Sequence, residues 1–406
     1  MNTLLTAWRN LWRNTRRTVI TLTAVGLNMA VLIASYALMD GLLFHTVQNA
    51  VNLDTGEVQI HAPDYLSDRS MYKDIDEPER ILTQLREQGV PAAPRSYGYG
   101  LAASGTKSAG AMFWGVDPAA EKRVFELAGH VKRGGFLDEE PSRGVVLGRK
   151  LARSLNVDVG GEVVVVVQAA DGSLGNELYT VTGILKAAGE SIDRSAAILH
   201  RAEFNALFVA GGRVHEIAVN TGGSMELARL KRLVEQVAPH NEVATWRELL
   251  PALSDMVNLF DVSIWIFGSI FFLAAGLGVM NTMLMATFER MHEFGLVKAL
   301  GASPWRIVRD VTAEALVLSL TATLLGLSLG LGSAWYLQSF GLDTSRFVAE
   351  GYSLAGVAFD PVWRAVISVQ GTLLPVVAMW AVCVAAALYP ASIAARLDPV
   401  EAMTKV

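Results

Sequence analysis

Four stretches of this 406-residue chain are long and apolar enough to cross a membrane, and they constrain everything else it can become. A helical span needs about 20 mostly apolar residues to traverse the ~30 Å hydrocarbon layer. Residues 18–43, 262–288, 311–337 and 366–390 each satisfy this. Only 18% of the chain is charged and 52% is hydrophobic, a balance shifted away from that of soluble domains. The first stretch follows basic residues, as a secretory signal does. Its apolar part is too long for a signal and no small-residue cleavage site follows, so it reads as an uncleaved anchor.

Lysine and arginine in the short flanks set orientation. Residues 1–17 carry Arg9, Arg13, Arg16 and Arg17 and no acid. The loop 289–310 carries Arg290, Lys298, Arg306 and Arg309, and the tail 391–406 carries Arg396 and Lys405. The loop 338–365 offers only Arg346 and Arg364. Both termini and the 289–310 loop are therefore expected on the cytoplasmic side, with residues 44–261 and 338–365 opposite. Within residues 1–17, Leu4, Leu5, Trp8, Leu11 and Trp12 share one helical face against the arginines. That is the pattern of a helix lying in the membrane interface, in contact with lipid.

The insertion at 44–261 has an ordinary soluble composition and the size of an independent domain. "GEVVVVVQAADGSLGNELYTVTGIL" reads as two strands around a polar turn. "RGVVLGRKLARSLNV" reads as a strand followed by a helix with Leu151 and Leu155 on one face. "MELARLKRLVEQVAP" is an amphipathic helix presenting Leu227, Leu230, Leu233 and Val234. The fold class is a four-span membrane protein with a large mixed α/β domain inserted between the first and second spans. Strand order is not written in such local patterns.

Several chemistries are excluded. The string "GTKS" at Gly105–Ser108 lacks the adjacent Gly-Lys and the preceding glycine of a phosphate loop, and no other Walker-type loop occurs. Neither a G-x-S-x-G elbow nor an H-E-x-x-H helix is present. The seven histidines are scattered and Cys383 stands alone, so no catalytic residue, metal site, intrachain disulfide or cofactor of this chain is expected. A net charge of -5 gives no sign of a nucleic-acid partner. Inside the spans Asn28, Asn281 and Glu314 are isolated polar groups, with structural rather than transport roles expected. Gly326-x-x-x-Gly330 forms a close-packing face, Asn281 is placed at a helix contact, and Pro375 is a kink point.

The loop "ERMHEFGLVKALGASPWRIVRD", residues Glu289–Asp310, is unlike a passive connector. Phe294, Val297 and Leu300 recur at helical spacing with Leu296 beside them, while Glu289, Arg290, Glu293 and Lys298 supply charge around the rest. Gly301 is a natural stop, Ser303 a cap and Pro304 a first helical residue. The segment predicts helix, sharp turn, helix: a stiff part suited to docking on a partner, or to lying flat on lipid.

The run "NTMLMATFERMHEFGLVKALGASPWRIVRDVTAEALVL" resembles the signature of MacB-like and FtsX-like ABC permeases, the mechanotransmission type. The ending "YPASIAARLDPVEAM", the start "AWRNLWRNTRRTVIT" and the segment "RGVVLGRKLARSLNVDVGGEV" are similar to other parts of that family, with Met403 where leucine is usual. The resemblance implies a permease in the bacterial inner membrane, homodimeric or paired with a related permease, with a porter/sabre-like periplasmic domain. It also implies a separate cytoplasmic ATPase subunit that supplies ATP and magnesium chemistry and grips Glu289, Arg290, Glu293, Gly295, Lys298, Ala299, Gly301, Ala302 and Ser303. A periplasmic adaptor or lipoprotein is a further implied partner. The cargo stays open between a periplasmic peptide or drug and an outer-leaflet lipid or lipoprotein. The alternative is an FtsX-like signal transmitter that activates a cell-wall hydrolase.

Overall fold

The structure, a computed structural model, describes residues 3–345, 353–354, 356–358, 361–396 and 398. Arg346, Lys405 and most of the family-like ending beyond Arg396 lie outside them. Among the described residues four helices are long and apolar enough to cross a membrane. They run Thr15–Ala50 (with a π turn at Val51–Thr55), Pro251–Glu289, Pro304–Phe340 and Val369–Arg396. The first three outrun their apolar stretches at both ends, because hydropathy marks the bilayer core whereas a helix continues wherever its i→i−4 bonds do; the fourth begins at Val369, inside the expected 366–390, and runs on to Arg396. The fourth passes through both Pro375 and Pro390.

Two compact units result: Met1–Phe44 with Val257–Thr344 and Val362–Val406, and His45–Met256 with Ser345–Pro361. In the first unit the core is built from Val25, Met29 and Ile33, Ala275 and Val279, Leu318 and Ala322, and Met379 and Cys383. Packing is close because glycines meet backbone. A Cβ on Gly326 would lie 2.5 Å from Met29 Cβ and 2.7 Å from the Gly26 carbonyl oxygen. One on Gly330 would lie 3.2 Å from Ala30 Cα. The glycine face of the third span thus meets Gly26-x-x-x-Ala30 of the first, a reciprocal small-residue contact. Thr21 and Thr282 share a 2.7 Å hydrogen bond between the first and second spans. Asn281, placed by the sequence at a helix contact, is instead exposed. Its neighbour Thr282 makes the bond, since adjacent positions point about 100° apart around a helix.

The second unit is a ten-stranded sheet. Its strands are β1 Val58–His61, β2 Ala92–Ser104, β3 Lys107–Val116, β4 Val131–Gly134 and β5 Gly144–Leu147. They continue with β6 Glu162–Gln168, β7 Leu174–Leu185, β8 Ala196–His200, β9 Glu216–Val219 and β10 Glu242–Thr245. The pairings β2–β3–β8–β5–β7–β6 return to β2 and close a barrel. Its interior is filled by Phe113, Val145, Val165, Val181, Phe204 and Phe208. β4 pairs with β7, and the other strands extend from the long β2 in the order β9, β1, β10, covered by the helices Pro78–Glu87 and Leu227–Val237. β1 follows the first span and β10 precedes the second, and the two pair antiparallel, Val58 opposite Thr245. Trp246 N–H donates to the Glu57 carbonyl at 3.1 Å, continuing the ladder.

One buried charge cluster anchors this corner. Arg95 is fully buried and donates to both oxygens of Glu121 (2.6 and 3.2 Å), to Glu216 Oε1 (3.2 Å) and to the Asp54 carbonyl. The guanidinium lies over the Phe125 ring at 4.0 Å. Tyr97 O–H donates to Glu216 at 3.0 Å. Burial raises the Glu216 carboxyl, opposed by Arg95.

Two consequences are measurable in detergent. Gly326→Val should cost about 1–3 kcal/mol of stability by overpacking, read as a lowered unfolding midpoint, while Gly332→Val, with open space around it, should not. A Gly326 variant as stable as the Gly332 variant would contradict the contact. Arg95→Met should cost about 3–5 kcal/mol near neutral pH by leaving buried carboxylates unpaired. An acid raised on folding stabilises when protonated, so this deficit should shrink as pH falls toward 5. A pH-independent deficit would contradict the electrostatic reading.

Candidate functional site

The loop helix is Met291–Ala299, separated from the second span by Arg290 at φ −112°, ψ 12°. It closes with the Ala302 N–H bonded to the Val297 carbonyl (3.1 Å) and the Gly301 N–H to the Lys298 carbonyl (2.9 Å). Gly301 sits at φ +89°. This is a Schellman stop, and glycine takes that φ without strain. The third span then begins at Pro304 with Ser303 in the capping position, although the serine side chain makes no cap bond.

Arg290 organises the site. It donates to Glu314 at 2.9 Å and to Glu293 at 3.1 Å, and its guanidinium lies 5.1 Å from the Phe294 ring centre. Glu314, by sequence an isolated polar group inside a span, is buried in this pair. The side chains are 19% and 8% exposed, so this ion pair is far better shielded than its neighbours. Two further bridges tie the loop to the N-terminal segment: Arg13 to Glu293 at 2.9 Å and Arg17 to Glu289 at 3.0 Å. The Arg13–Glu293 pair is about half exposed on both sides. Pairs of that kind contribute little stability but fix geometry. Burial raises the Glu293 carboxyl, yet the hydrogen bonds from Arg13 and Arg290 outweigh it and hold the group below its usual range. Lys298 Nζ donates to the Ala395 carbonyl at 3.0 Å, bracing the other end against the fourth helix.

The expected apolar stripe divides in two. Phe294 is buried with Ile307, Val311, Ala391 and Ala394, and Gly295 is buried beside it. Leu296, Val297 and above all Leu300, 81% exposed, face outward, and Trp305 is 73% exposed. The helix is held by one side and presents leucines on the other, with Ala299 and Gly301 also exposed and Ala302 half-buried. A similar split affects the N-terminal helix Thr3–Leu11: Ala7 and Leu11 are buried whereas Leu5, Trp8 and Trp12 are exposed. Arg13 and Arg17 were legible only as orienting charge. Their four-residue spacing matches that of Glu289 and Glu293, which is the signal that pairs them. Among the described residues no cluster of His, Cys, Asp and Glu is arranged to hold a metal.

The profile of the MacB-like periplasmic core domain matches residues 18–237, and that of the FtsX-like permease C-terminal region matches residues 265–399. The chain is 23% identical to the lipoprotein-releasing system transmembrane protein LolC of Xylella fastidiosa strain Temecula1, over 72% of each chain. It is 22% identical to an uncharacterized ABC transporter permease of Methanocaldococcus jannaschii, over 70% of this chain and 68% of that one. It is 24% identical to the macrolide export ATP-binding/permease protein MacB of Azoarcus sp. strain BH72, over 98% of this chain and 58% of the relative. The chain therefore belongs to the family of ABC transporter permeases that join a MacB-like periplasmic core domain to an FtsX-like C-terminal region.

Proposed function

We propose that this permease is a mechanical transmitter. An ATPase on a partner subunit grips the cytoplasmic loop helix, and the inserted domain works on cargo on the opposite side of the membrane. The observation that carries this is the two-sided loop helix: Phe294 and Arg290 hold it to its own chain, and Leu296, Leu300 and Trp305 are left outward. Large apolar side chains at a charged, well-stopped helix fit the helix-in-groove mode of recognition. Glu293 and Lys298 position the helix through Arg13, Arg290 and Ala395.

The far end supports the same reading. The segments leading out of the first span and into the second are hydrogen-bonded neighbours, so a relative movement of those helices loads one edge of one sheet. Cargo on this reading is a peptide or drug already outside the membrane, or a lipid or lipoprotein in the outer leaflet. On this reading both termini and the loop helix lie in the cytoplasm of a multi-pass inner-membrane protein that acts as a dimer. The alternative function is an FtsX-like transmitter that activates a cell-wall hydrolase.

Co-purification with a Walker-motif ABC ATPase checks the docking face. Leu300→Glu should abolish ATPase capture without lowering the unfolding midpoint, because the leucine buries almost nothing. Double charge reversal at Glu293 and Lys298 should weaken capture and also loosen the loop. Full capture by Leu300→Glu would sink the proposal.

A further inference from the structure

The inserted unit contains a cavity of about 100 Å³ that nothing above uses. Asp54 borders it from the last turn after the first span, and Leu249 and Leu250 from the stretch before the second. The sheet supplies Tyr97, Trp114 and Glu216, and Tyr99 stands at its edge, 54% exposed.

The charge around this space does not balance. Glu121 and Glu216 share the single guanidinium of Arg95, and Asp54 gives Arg95 only its main-chain carbonyl. Among the described residues the Asp54 carboxylate has no hydrogen bond or ion pair. Of the residues lining the space, Asp54 and Glu216 thus stand against the exposed Arg69, with Arg95 behind them already shared with Glu121. Neighbouring histidines do not compensate, since burial holds His61 down at about 4 and lowers His215 as well. Both stack on Tyr65, at 5.2 and 5.7 Å, and neither presents a positive charge near neutral pH. Burial pushes Asp54 up to about 6, against the pull of Arg95.

The walls are equally selective. Arg95 already lies 5.4 Å from the Trp114 ring centre, and Tyr97 meets that ring edge-on at 5.4 Å. Electron-rich ring faces beside a carboxylate without a hydrogen bond attract a compact cation with N–H donors. We propose that this cavity binds a small primary ammonium compound, its N–H groups on Asp54 and Glu216 and its carbon against Tyr97 and Tyr99. Arg69 is exposed at the mouth and lines the same space, so an amine that also carries a carboxylate gains a second anchor there. The site assignment does not depend on the transport reading. Occupancy would brace the two segments that lead to the first and second spans, because both border the cavity.

The test uses the purified full-length chain in detergent at pH 7.5, titrated calorimetrically with ethylamine, glycine and acetate. Saturable binding of ethylamine or glycine, absent for acetate, is expected. Asp54→Asn should weaken it at least about tenfold. Tyr99→Ala, at a largely exposed position, should weaken it several-fold and keeps the test valid if the first variant does not fold. Tighter glycine assigns a zwitterion held partly by Arg69, and tighter ethylamine assigns a simple amine. Binding of neither amine, binding of acetate, or undiminished affinity in both variants would overturn the assignment.

Discussion

The pairing of β1 with β10 is the constraint on which the rest of the architecture depends. More than 180 residues intervene between Val58 and Thr245, yet the two are opposite each other in one ladder. An insertion whose ends lay far apart would spread any movement of its supporting helices across the whole domain. Here the two connections converge on neighbouring strands, and the buried Arg95 cluster fixes the turn that feeds the first of them. Breaking such a pair on one side leaves buried charge without compensation, which makes that corner stiff. Stiffness at the junction is what a transmitter requires.

The opposite end follows the same logic with different chemistry. Arg290 stands at the break between the second span and the loop helix and bonds forward to both Glu293 and Glu314. Arg13 and Arg17 reach the same loop from the N-terminal segment. The loop helix is therefore attached to three elements of its own unit while its leucines remain outside. A passive hairpin between membrane helices would need neither the attachments nor the Schellman stop at Gly301.

Legibility in the sequence followed the range of the interaction. The four long apolar helices, the loop helix and its glycine stop were readable because they rest on local periodicity and on residues with one strong conformational role. Leu151, Leu155, Leu230 and Val234 were readable as core for the same reason, and all are buried. The barrel closure was not, because β2 bonds β9, β3 and β6 at different points along its 13 residues and "AAPRSYGYGLAAS" carries no trace of that. No local pattern marks Arg95 as buried, and only the fold brings Glu121 and Glu216 to it. In the membrane unit the Gly326 face was visible, but its partner Gly26-x-x-x-Ala30 was hidden in an unremarkable apolar run. Asn281 misled because a polar residue in a span suggests a contact, and helical phase put Thr282 there instead.

The central claim is that work done at the loop helix displaces the inserted domain. Nitroxide labels at Leu174, exposed in the domain, and at Trp335, exposed on the third span, report that displacement directly once Cys383, the single cysteine, is replaced by alanine. With the partner ATPase present, the distance distribution measured by pulsed electron resonance should shift on adding a non-hydrolysable ATP analogue. The shift should vanish in the Leu300→Glu chain. An unchanged distribution in a complex that still hydrolyses ATP would contradict the account.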